Sequence, residues 1–382
     1  MRTSKPVLDC ITVEGFRSIK CIERLPLRPI NILIGPNGAG KSDFIDALSF
    51  LGEIRAGRLK EYVVRSGGAG RILHFGAKVT PKLRIHVSFG GEGNRYEITL
   101  TATDADGLRP VHEDCVEYRD GHPLTVGSAG GYGSEAWISQ RYRHRPDHEF
   151  VDRVRRYLDD WRVYHFHDTG VASPLKKTAE VNDNRFLRRD GANLAAFLYY
   201  LSRKHADSYD LIRRTVQRVA PFFDDFRLEP LALNEETIRL EWKHQASDAY
   251  FAASSLSDGS LRFIALATVL LQPVFLRPSV ILLDEPELGL HPAAITILAA
   301  LIKQVSVETQ VVLATQSPLL LDHFRPEDVL VAERVAGQTL FTRLDGAALK
   351  TWLEDYSLGQ LWEKNQFGGR PMREDRENGP VP

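Results

Sequence analysis

The chain has 382 residues, of which 43% are hydrophobic and 26% charged, and its formal net charge is −1. This composition excludes a largely disordered chain and supplies enough apolar side chains for one large domain or two. The near balance of charge excludes a net positive field that would draw the whole molecule onto nucleic acid, and the three cysteines without a C-x-x-C pair favour neither a disulfide framework nor a cysteine zinc site.

The amino-terminal segment lacks the uninterrupted apolar stretch of a secretory signal. The longest uncharged apolar stretch, residues 263–276, is shorter than a bilayer-spanning helix requires. The sequence therefore predicts a cytoplasmic protein without a membrane anchor.

The first predicted elements are short strands over residues 8–34, and the last of them, Ile30–Ile34, is an unbroken apolar run. The residues that follow, Gly35–Ser42, read GPNGAGKS and have the spacing of a phosphate-binding loop. Residues 43–51 then carry apolar side chains at helical intervals. A strand, a glycine loop and a helix amino terminus in this order present backbone N–H groups and a favourable dipole to phosphates. The sequence therefore predicts a nucleoside triphosphate site.

The residue types in the loop suit specific parts of the ligand. Glycine permits close approach of the backbone to the α and β phosphates. Lys41 is expected to reach the β and γ phosphates, and the Ser42 hydroxyl is expected to bind Mg²⁺. The predicted binding residues of the loop are Asn37, Gly38, Ala39, Gly40, Lys41 and Ser42.

Residues from about 70 to 120 predict further strands, clearest over 83–89 and 96–100, where apolar side chains alternate. Five glycines between Gly121 and Gly133 predict a loop there.

Apolar spacing becomes helical over residues 149–162 and 193–219, which predicts a mostly helical insert. Between Ile138 and Ala220 the chain has 17 Lys and Arg against 11 Asp and Glu. This surplus suits either solvated helix faces or a surface for DNA or an acidic partner.

We divide the chain accordingly into four parts: 1–137, the amino-terminal half of an α/β head with the phosphate loop and a β-rich lobe; 138–225, the helical insert; 226–368, the carboxyl-terminal half of the head; and 369–382, a disordered tail.

Leu256–Ser260, LSDGS, opens a predicted helix over residues 261–271 and begins 28 residues before Asp284. Its free N–H groups, the Ser257 hydroxyl and the helix dipole all favour an anion, although Ser257 by itself would be an ordinary helix cap. The segment resembles the LSGGQ-type signature of the ABC ATPase superfamily, with Asp258 in place of the first glycine.

The apolar run Val280–Leu283 ends in Asp284 and Glu285. In a buried parallel strand these carboxylates would lie at the carboxyl edge, where ligands bind. Together with the upstream loop, this pattern predicts that Asp284 holds Mg²⁺ through water. Glu285 is expected to act catalytically, accepting a proton from the attacking water or orienting it.

Gln316 follows the predicted strand 311–315. The same resemblance implies that Gln316 is the catalytic switch residue, a position where family members often carry histidine. Gln316 has the donors and acceptor to hydrogen-bond the γ-phosphate but lacks imidazole charge, so we expect slow turnover.

The ABC resemblance also implies how two chains cooperate. Ser257 and Gly259 would touch the γ-phosphate of ATP bound by a second copy, so that a homodimer closes head to tail around two ATP molecules. ATP and Mg²⁺ are thus the expected cofactors.

Residues 11–19 resemble the opening strand of RecF, SMC and OLD-like ATPases, which implies that Arg17 lies close to the nucleotide. The span Ser254–Thr342 is similar to RecF/OLD-like AAA ATPases of bacteria. Heptad repeats for SMC-type arms are missing from the sequence, and the 66 residues after Gln316 are too few for the nuclease domain of OLD proteins.

The resemblance therefore implies an ABC-type P-loop ATPase of RecF/OLD-like kind in phage defence or DNA maintenance, acting with a separate effector such as a nuclease. Two alternatives stay open: a RecF-like DNA repair clamp, and a non-catalytic module in which ATP only gates binding.

Overall fold

The structure, a computed structural model, describes residues 7–90, 93–119, 122–130, 133–140 and 149–368. Its contacts divide the chain into two compact units, which we call the first unit, residues 1–161 with 325–382, and the second unit, residues 162–324. The four-part division made from the sequence stays a prediction, and its proposed tail lies outside the described residues.

The strands are β1 Leu8–Phe16, β2 Ile19–Pro26, β3 Ile30–Ile34, β4 Lys82–Phe89, β5 Asn94–Ala102, β6 Leu108–Arg119, β7 His122–Gly130, β8 Trp161–Tyr164, β9 Ala179–Glu180, β10 Phe223–Arg227, β11 Pro230–Leu231, β12 Asn234–Ile238, β13 Glu241–His244, β14 Tyr250–Ala252, β15 Val280–Asp284, β16 Gln310–Thr315, β17 Val329–Val335 and β18 Gln338–Arg343. The helices are α1 Lys41–Arg55, α2 Leu59–Arg65, α3 Ala69–Ile72, α4 Glu149–Asp159, α5 Leu194–Lys204, α6 Ala206–Val219, α7 Asp258–Leu271, α8 Pro292–Val305, α9 Pro318–Leu321, α10 Gly346–Leu349, α11 Trp352–Asp355 and α12 Leu358–Glu363.

The first unit contains an antiparallel sheet in the order β2-β1-β4-β5-β6-β7. Alternating apolar residues of its strands are buried, as in β4, where Leu83, Ile85 and Val87 are fully enclosed. The strands predicted over 83–89 and 96–100 are thereby confirmed.

A glycine-rich strand forms where the sequence predicts a loop. The loop prediction for Gly121–Gly133 is wrong over residues 122–130, because His122–Gly130 forms β7 and pairs antiparallel with β6. Residues 121, 131 and 132 lie outside the described residues. The backbone hydrogen bonds that β6 makes with this segment outweigh the low strand propensity of glycine. Gly127 also has a packing reason, since a Cβ there would overlap the ring of Trp137.

The first unit also holds β3, the strand that precedes the phosphate loop and α1, and all five of its residues are buried. β17 pairs parallel with β3, so that Leu330 lies opposite Leu33, and antiparallel with β18. This arrangement brings the carboxyl-terminal strands to the phosphate loop that follows β3.

The second unit is built around β15 and β16, which pair in parallel with Leu282 opposite Val312. Two small sheets, β10-β13-β14 and β11-β12-β9, belong to the same unit. Helix α7 is almost wholly buried from Leu261 to Leu271.

The helices predicted over 149–162 and 193–219 are confirmed as α4, in the first unit, and as the pair α5 and α6, in the second unit. Among the described residues, no helix combines the length and apolarity needed to cross a bilayer.

Candidate nucleotide-binding site

The backbone of the predicted phosphate loop is shaped by glycine. Gly38 and Gly40 have φ of 77° and 97°, values that residues with a side chain rarely adopt. A Cβ on Gly40 would overlap Thr339 Oγ1 and lie 2.7 Å from Ser18 Oγ. Helix α1 begins directly afterwards at Lys41, and Gly40 has no side chain to cap it. The cradle and the helix amino terminus therefore fit a phosphate group.

Lys41 is buried within this loop, at 6% exposure. Its Nζ donates hydrogen bonds to the carbonyl oxygens of Gly35 at 2.7 Å and Pro36 at 2.9 Å. The ammonium is thus held against the loop backbone. Of the other predicted loop residues, Asn37 and Ser42 are exposed, whereas Ala39 is buried.

Arg17 lies beside the first turns of α1. Its guanidinium donates to Asp43 at 3.3 Å, to Asp46, and to the Tyr62 hydroxyl at 3.2 Å. Ser18 also donates to Asp43. The charge of Arg17 is therefore balanced by acids of α1, and a contact between Arg17 and nucleotide stays a prediction.

Arg334 is a loop contact that sequence reasoning missed. Its guanidinium donates to the carbonyl oxygen of Gly38 at 3.4 Å. No motif surrounds Arg334, and only the parallel pairing of β17 with β3 brings it to the loop.

In the second unit, Asp284 is the last residue of β15 and Glu285 follows it directly. The backbone of Glu285 has φ of 43°, which turns the chain at the end of the strand. Its N–H still donates to the Ala314 carbonyl of β16 at 2.8 Å. Gln316 Nε2 donates to Glu285 Oε1 at 2.6 Å. The structure thus brings together the two predicted catalytic residues.

His167 is a second contact that the sequence did not reveal. Its Nε2 lies 2.7 Å from the carbonyl oxygen of Asp284, the predicted Mg²⁺ ligand. The segment before β9 therefore supports the backbone at the end of β15.

Glu287 is a buried acid two residues after Glu285, at 9% exposure. Thr315 donates a hydrogen bond to its Oε1. Burial raises the pKa of Glu287 despite that bond. The sequence signal for Glu287 is its place as the third acid of the segment DEPE, residues 284–287, directly after a buried strand.

The predicted signature forms the start of α7. Ser257 is the cap, since its Oγ accepts from the Ser260 N–H at 3.1 Å. Gly259 packs so closely on the following loop that a Cβ would overlap the carbonyl oxygen of Gly289. Ser257 is therefore confirmed as the cap of α7. Contact of Ser257 and Gly259 with phosphate is not tested by these observations and stays a prediction.

Arg262, one turn into α7, connects three segments of the second unit. Its Nε donates to the carbonyl of Phe166 at 2.9 Å and its Nη2 to that of His167 at 3.1 Å. Its Nη1 donates to the carbonyl of Leu288. The signature helix is therefore tied to the backbone on both sides of β15.

The basic surplus of the predicted insert includes residues with structural roles. Arg155 is buried and donates to the Ile138 carbonyl at 3.1 Å and to Asp152 at 2.9 Å. Arg153 pairs with Glu117. These two arginines are thus engaged within the first unit, and DNA binding by the insert stays a prediction.

Comparison with known proteins identifies both family and fold. Residues 30–126 and 134–322 match the family described as "AAA domain, putative AbiEii toxin, Type IV TA system". A search of curated proteins found no match.

Two solved structures resemble the chain over nearly its whole length. The crystal structure of the Smc head bound to the C-winged helix domain of ScpA is 16% identical, covers 89% of this chain and 99% of its own, and has a TM-score of 0.58. The Smc head domain with an extended coiled coil bound to the C-terminal domain of ScpA, derived from Pyrococcus furiosus, is 15% identical, covers 92% and 99%, and has a TM-score of 0.56. The predicted fold class, an α/β ABC-type P-loop ATPase head, is confirmed.

Proposed function

This chain belongs to the AAA-domain family described as putative AbiEii toxin of type IV toxin–antitoxin systems, and from that premise we propose that it binds Mg²⁺-ATP and hydrolyses it to ADP and phosphate. The glycine cradle around Lys41 supports the binding of phosphates. Bound Mg²⁺ would neutralise phosphate charge, and Ser42 and Asp284 are the residues proposed to hold it.

The observation that carries the proposal of hydrolysis is the pair formed by Glu285 and Gln316. The carboxylate stands at the carboxyl end of a buried parallel strand, where ligands bind in such sheets. The Gln316 amide fixes one carboxylate oxygen at 2.6 Å, which orients the other for a water molecule.

The test is phosphate release by the purified chain with ATP and Mg²⁺. The wild-type chain is expected to release phosphate, and Glu285→Gln to slow release by about 10² to 10⁴ because the general base is lost. Release at the level of a protein-free blank by the wild type would contradict the proposal.

We also infer that two chains close head to tail around two ATP molecules. Ser257 is exposed at the amino end of α7, a 14-residue helix whose dipole favours an anion. In this arrangement Ser257 and Gly259 of one chain would meet the γ-phosphate held by the loop of the other.

The biological role that we propose is cytoplasmic, of RecF/OLD-like kind, in phage defence or DNA maintenance with a separately encoded effector. The toxin–antitoxin description of the family supports a partner protein. The similar Smc heads were solved with ScpA domains bound, which supports docking of a further protein on such a head. Proteins that co-purify with the chain only in the presence of ATP would identify the effector.

A non-catalytic, ATP-gated module is the second candidate, and the same hydrogen bond favours it. The amide of Gln316 occupies an oxygen of Glu285 that a water molecule would otherwise use. Under this alternative the wild-type chain and Glu285→Gln dimerise equally with ATP, and neither releases phosphate.

A further inference from the structure

Phe75 combines two unusual features. Its side chain is 59% exposed, although it is a large aromatic ring. Its φ is 53°, a backbone conformation that is unfavourable for a bulky residue. Strained residues of this kind persist where the surrounding structure holds them, and they cluster at ligand-binding sites.

The position of the ring is fixed from two sides. A Cβ on Gly337 would lie 2.7 Å from Cζ of Phe75, so the turn between β17 and β18 has glycine where the ring rests. The ring of His74 lies 4.3 Å from that of Phe75, centroid to centroid. His74 is itself held, since its Nδ1 is 2.7 Å from the Arg17 carbonyl oxygen.

These contacts connect Phe75 to the phosphate loop within the first unit. Gly337 is two residues from Thr339, which contacts Gly40 and whose N–H donates to the Ser18 carbonyl at 2.9 Å. Because two residues of a strand span about 7 Å, the Phe75 contact at Gly337 lies within about that distance of Thr339. Opposite Thr339 in the hairpin is Arg334, which donates to the Gly38 carbonyl.

We propose that Phe75 is the stacking surface for the base of the nucleotide whose phosphates occupy the loop Gly35–Ser42. This inference rests on the proposed ATP binding and adds the residue that recognises the base. Edge atoms of the ring contact Gly337, the His74 ring packs beside it at a tilt of 52°, and more than half of the side chain is exposed. Aromatic rings stack on nucleobases through their π faces.

A purely structural role for Phe75 predicts a different outcome. If the ring only covered Gly337, its removal would change the stability of the fold and would affect every ligand of the loop alike. If the ring stacks on the base, its removal weakens only ligands that have a base.

The experiment measures, by calorimetry with Mg²⁺, the affinity of the full chain for ATP and for inorganic tripolyphosphate. The variants are Phe75→Asn, Phe75→Tyr and the control Val79→Ala. Asparagine tolerates positive φ, so Phe75→Asn removes the ring without adding backbone strain. Val79 lies in the same connection and is 64% exposed.

For Phe75→Asn we expect ATP affinity to fall about tenfold or more, the effect of losing one base–aromatic stack, with tripolyphosphate affinity unchanged. Phe75→Tyr and Val79→Ala should bind both ligands within about twofold of the wild type. Thermal unfolding checks that Phe75→Asn is folded.

Equal affinities of Phe75→Asn and the wild type for ATP would overturn the inference, as would an equal loss of affinity for both ligands. Either result leaves the proposed function standing as long as the wild type binds ATP. A wild-type chain that binds neither ligand would overturn the proposed function and this inference with it.

Discussion

The carboxamide of Gln316 donates a hydrogen bond of 2.6 Å to the carboxylate of Glu285. Gln316 follows β16 and Glu285 follows β15, and these strands pair in parallel, so the sheet itself sets the separation of the two side chains. A carboxamide carries no proton that titrates near neutral pH. The donor of this hydrogen bond therefore keeps the same form across the neutral range, whereas a histidine in its place would titrate there.

Replacing Gln316 with leucine should lower ATP turnover about ten- to a hundredfold with little change in ATP affinity. The interaction that the leucine removes is one hydrogen bond to a charged group, worth about 1.5 to 3 kcal/mol. Steady-state phosphate release measures the effect. In the Glu285→Gln background the same replacement should cost much less, and full additivity of the two changes would show that the residues act separately.

Replacing Lys41 with alanine should weaken ATP binding about ten- to a hundredfold for each hydrogen bond that the ammonium makes to a phosphate oxygen. The reason is that charge-assisted hydrogen bonds of about 1.5 to 3 kcal/mol each disappear. Titration calorimetry measures the decrease in affinity. Lys20→Ala is the control, because Lys20 is exposed on β2, and unchanged ATP affinity in Lys41→Ala would contradict the assignment of the loop.

Replacing Ser257 with arginine should leave ATP binding intact and abolish ATP-dependent dimerisation, because a long cation would occupy the proposed phosphate contact. Ser257→Ala separates this effect from loss of the helix cap, which costs about 1 kcal/mol. Sedimentation with ATP reports the oligomer. A normal dimer of the arginine variant would rule out the head-to-tail arrangement.

Two glycines in helices should respond oppositely to alanine. Gly259→Ala should lower the free energy of unfolding by about 1 to 3 kcal/mol, because the new Cβ overlaps the Gly289 carbonyl. Gly52→Ala should raise it by about 0.5 to 1 kcal/mol, because a Cβ at Gly52 in α1 meets nothing within 4 Å. Denaturant unfolding measures both, and a shift of the same sign in the two variants would contradict the packing described for Gly259.

The stability of the chain should depend on His165 in mildly acidic solution. Burial, together with the nearby Arg189 guanidinium, lowers the pKa of His165 to about 4 from 6.5. Arg189 donates a hydrogen bond of 2.5 Å to His165 Nε2, which requires the neutral ring. Between about pH 6.5 and 4 the unfolded chain takes up a proton that the folded chain does not, so this contribution to stability is complete above pH 6.5 and is lost as the pH falls.

His165→Gln keeps an acceptor for Arg189 without a titrating group. Its unfolding temperature should therefore fall less steeply than that of the wild type between pH 7 and pH 4.5. If the unfolding temperatures of the two proteins fall equally steeply with pH, His165 is not the group that makes the stability depend on pH.

The parts of the site that follow one another along the chain could be predicted from the sequence. The buried strand Ile30–Ile34, the loop and α1 form one local unit, and β15 carries its acids at its end, so apolar patterning placed both. Arg334 could not be found in this way, because only strand pairing connects it to Gly38. The strand β7 escaped prediction for the same reason, since its partner β6 and the Trp137 ring determine its form rather than its own residues.

The three bonds of Arg262 have a mechanical consequence for the second unit. One rigid, planar group holds the backbone at Phe166 and His167 and also the loop that follows Glu285. A rotation of the buried helix that begins after Ser257 would therefore pull on the acid-bearing turn and on the histidine segment together.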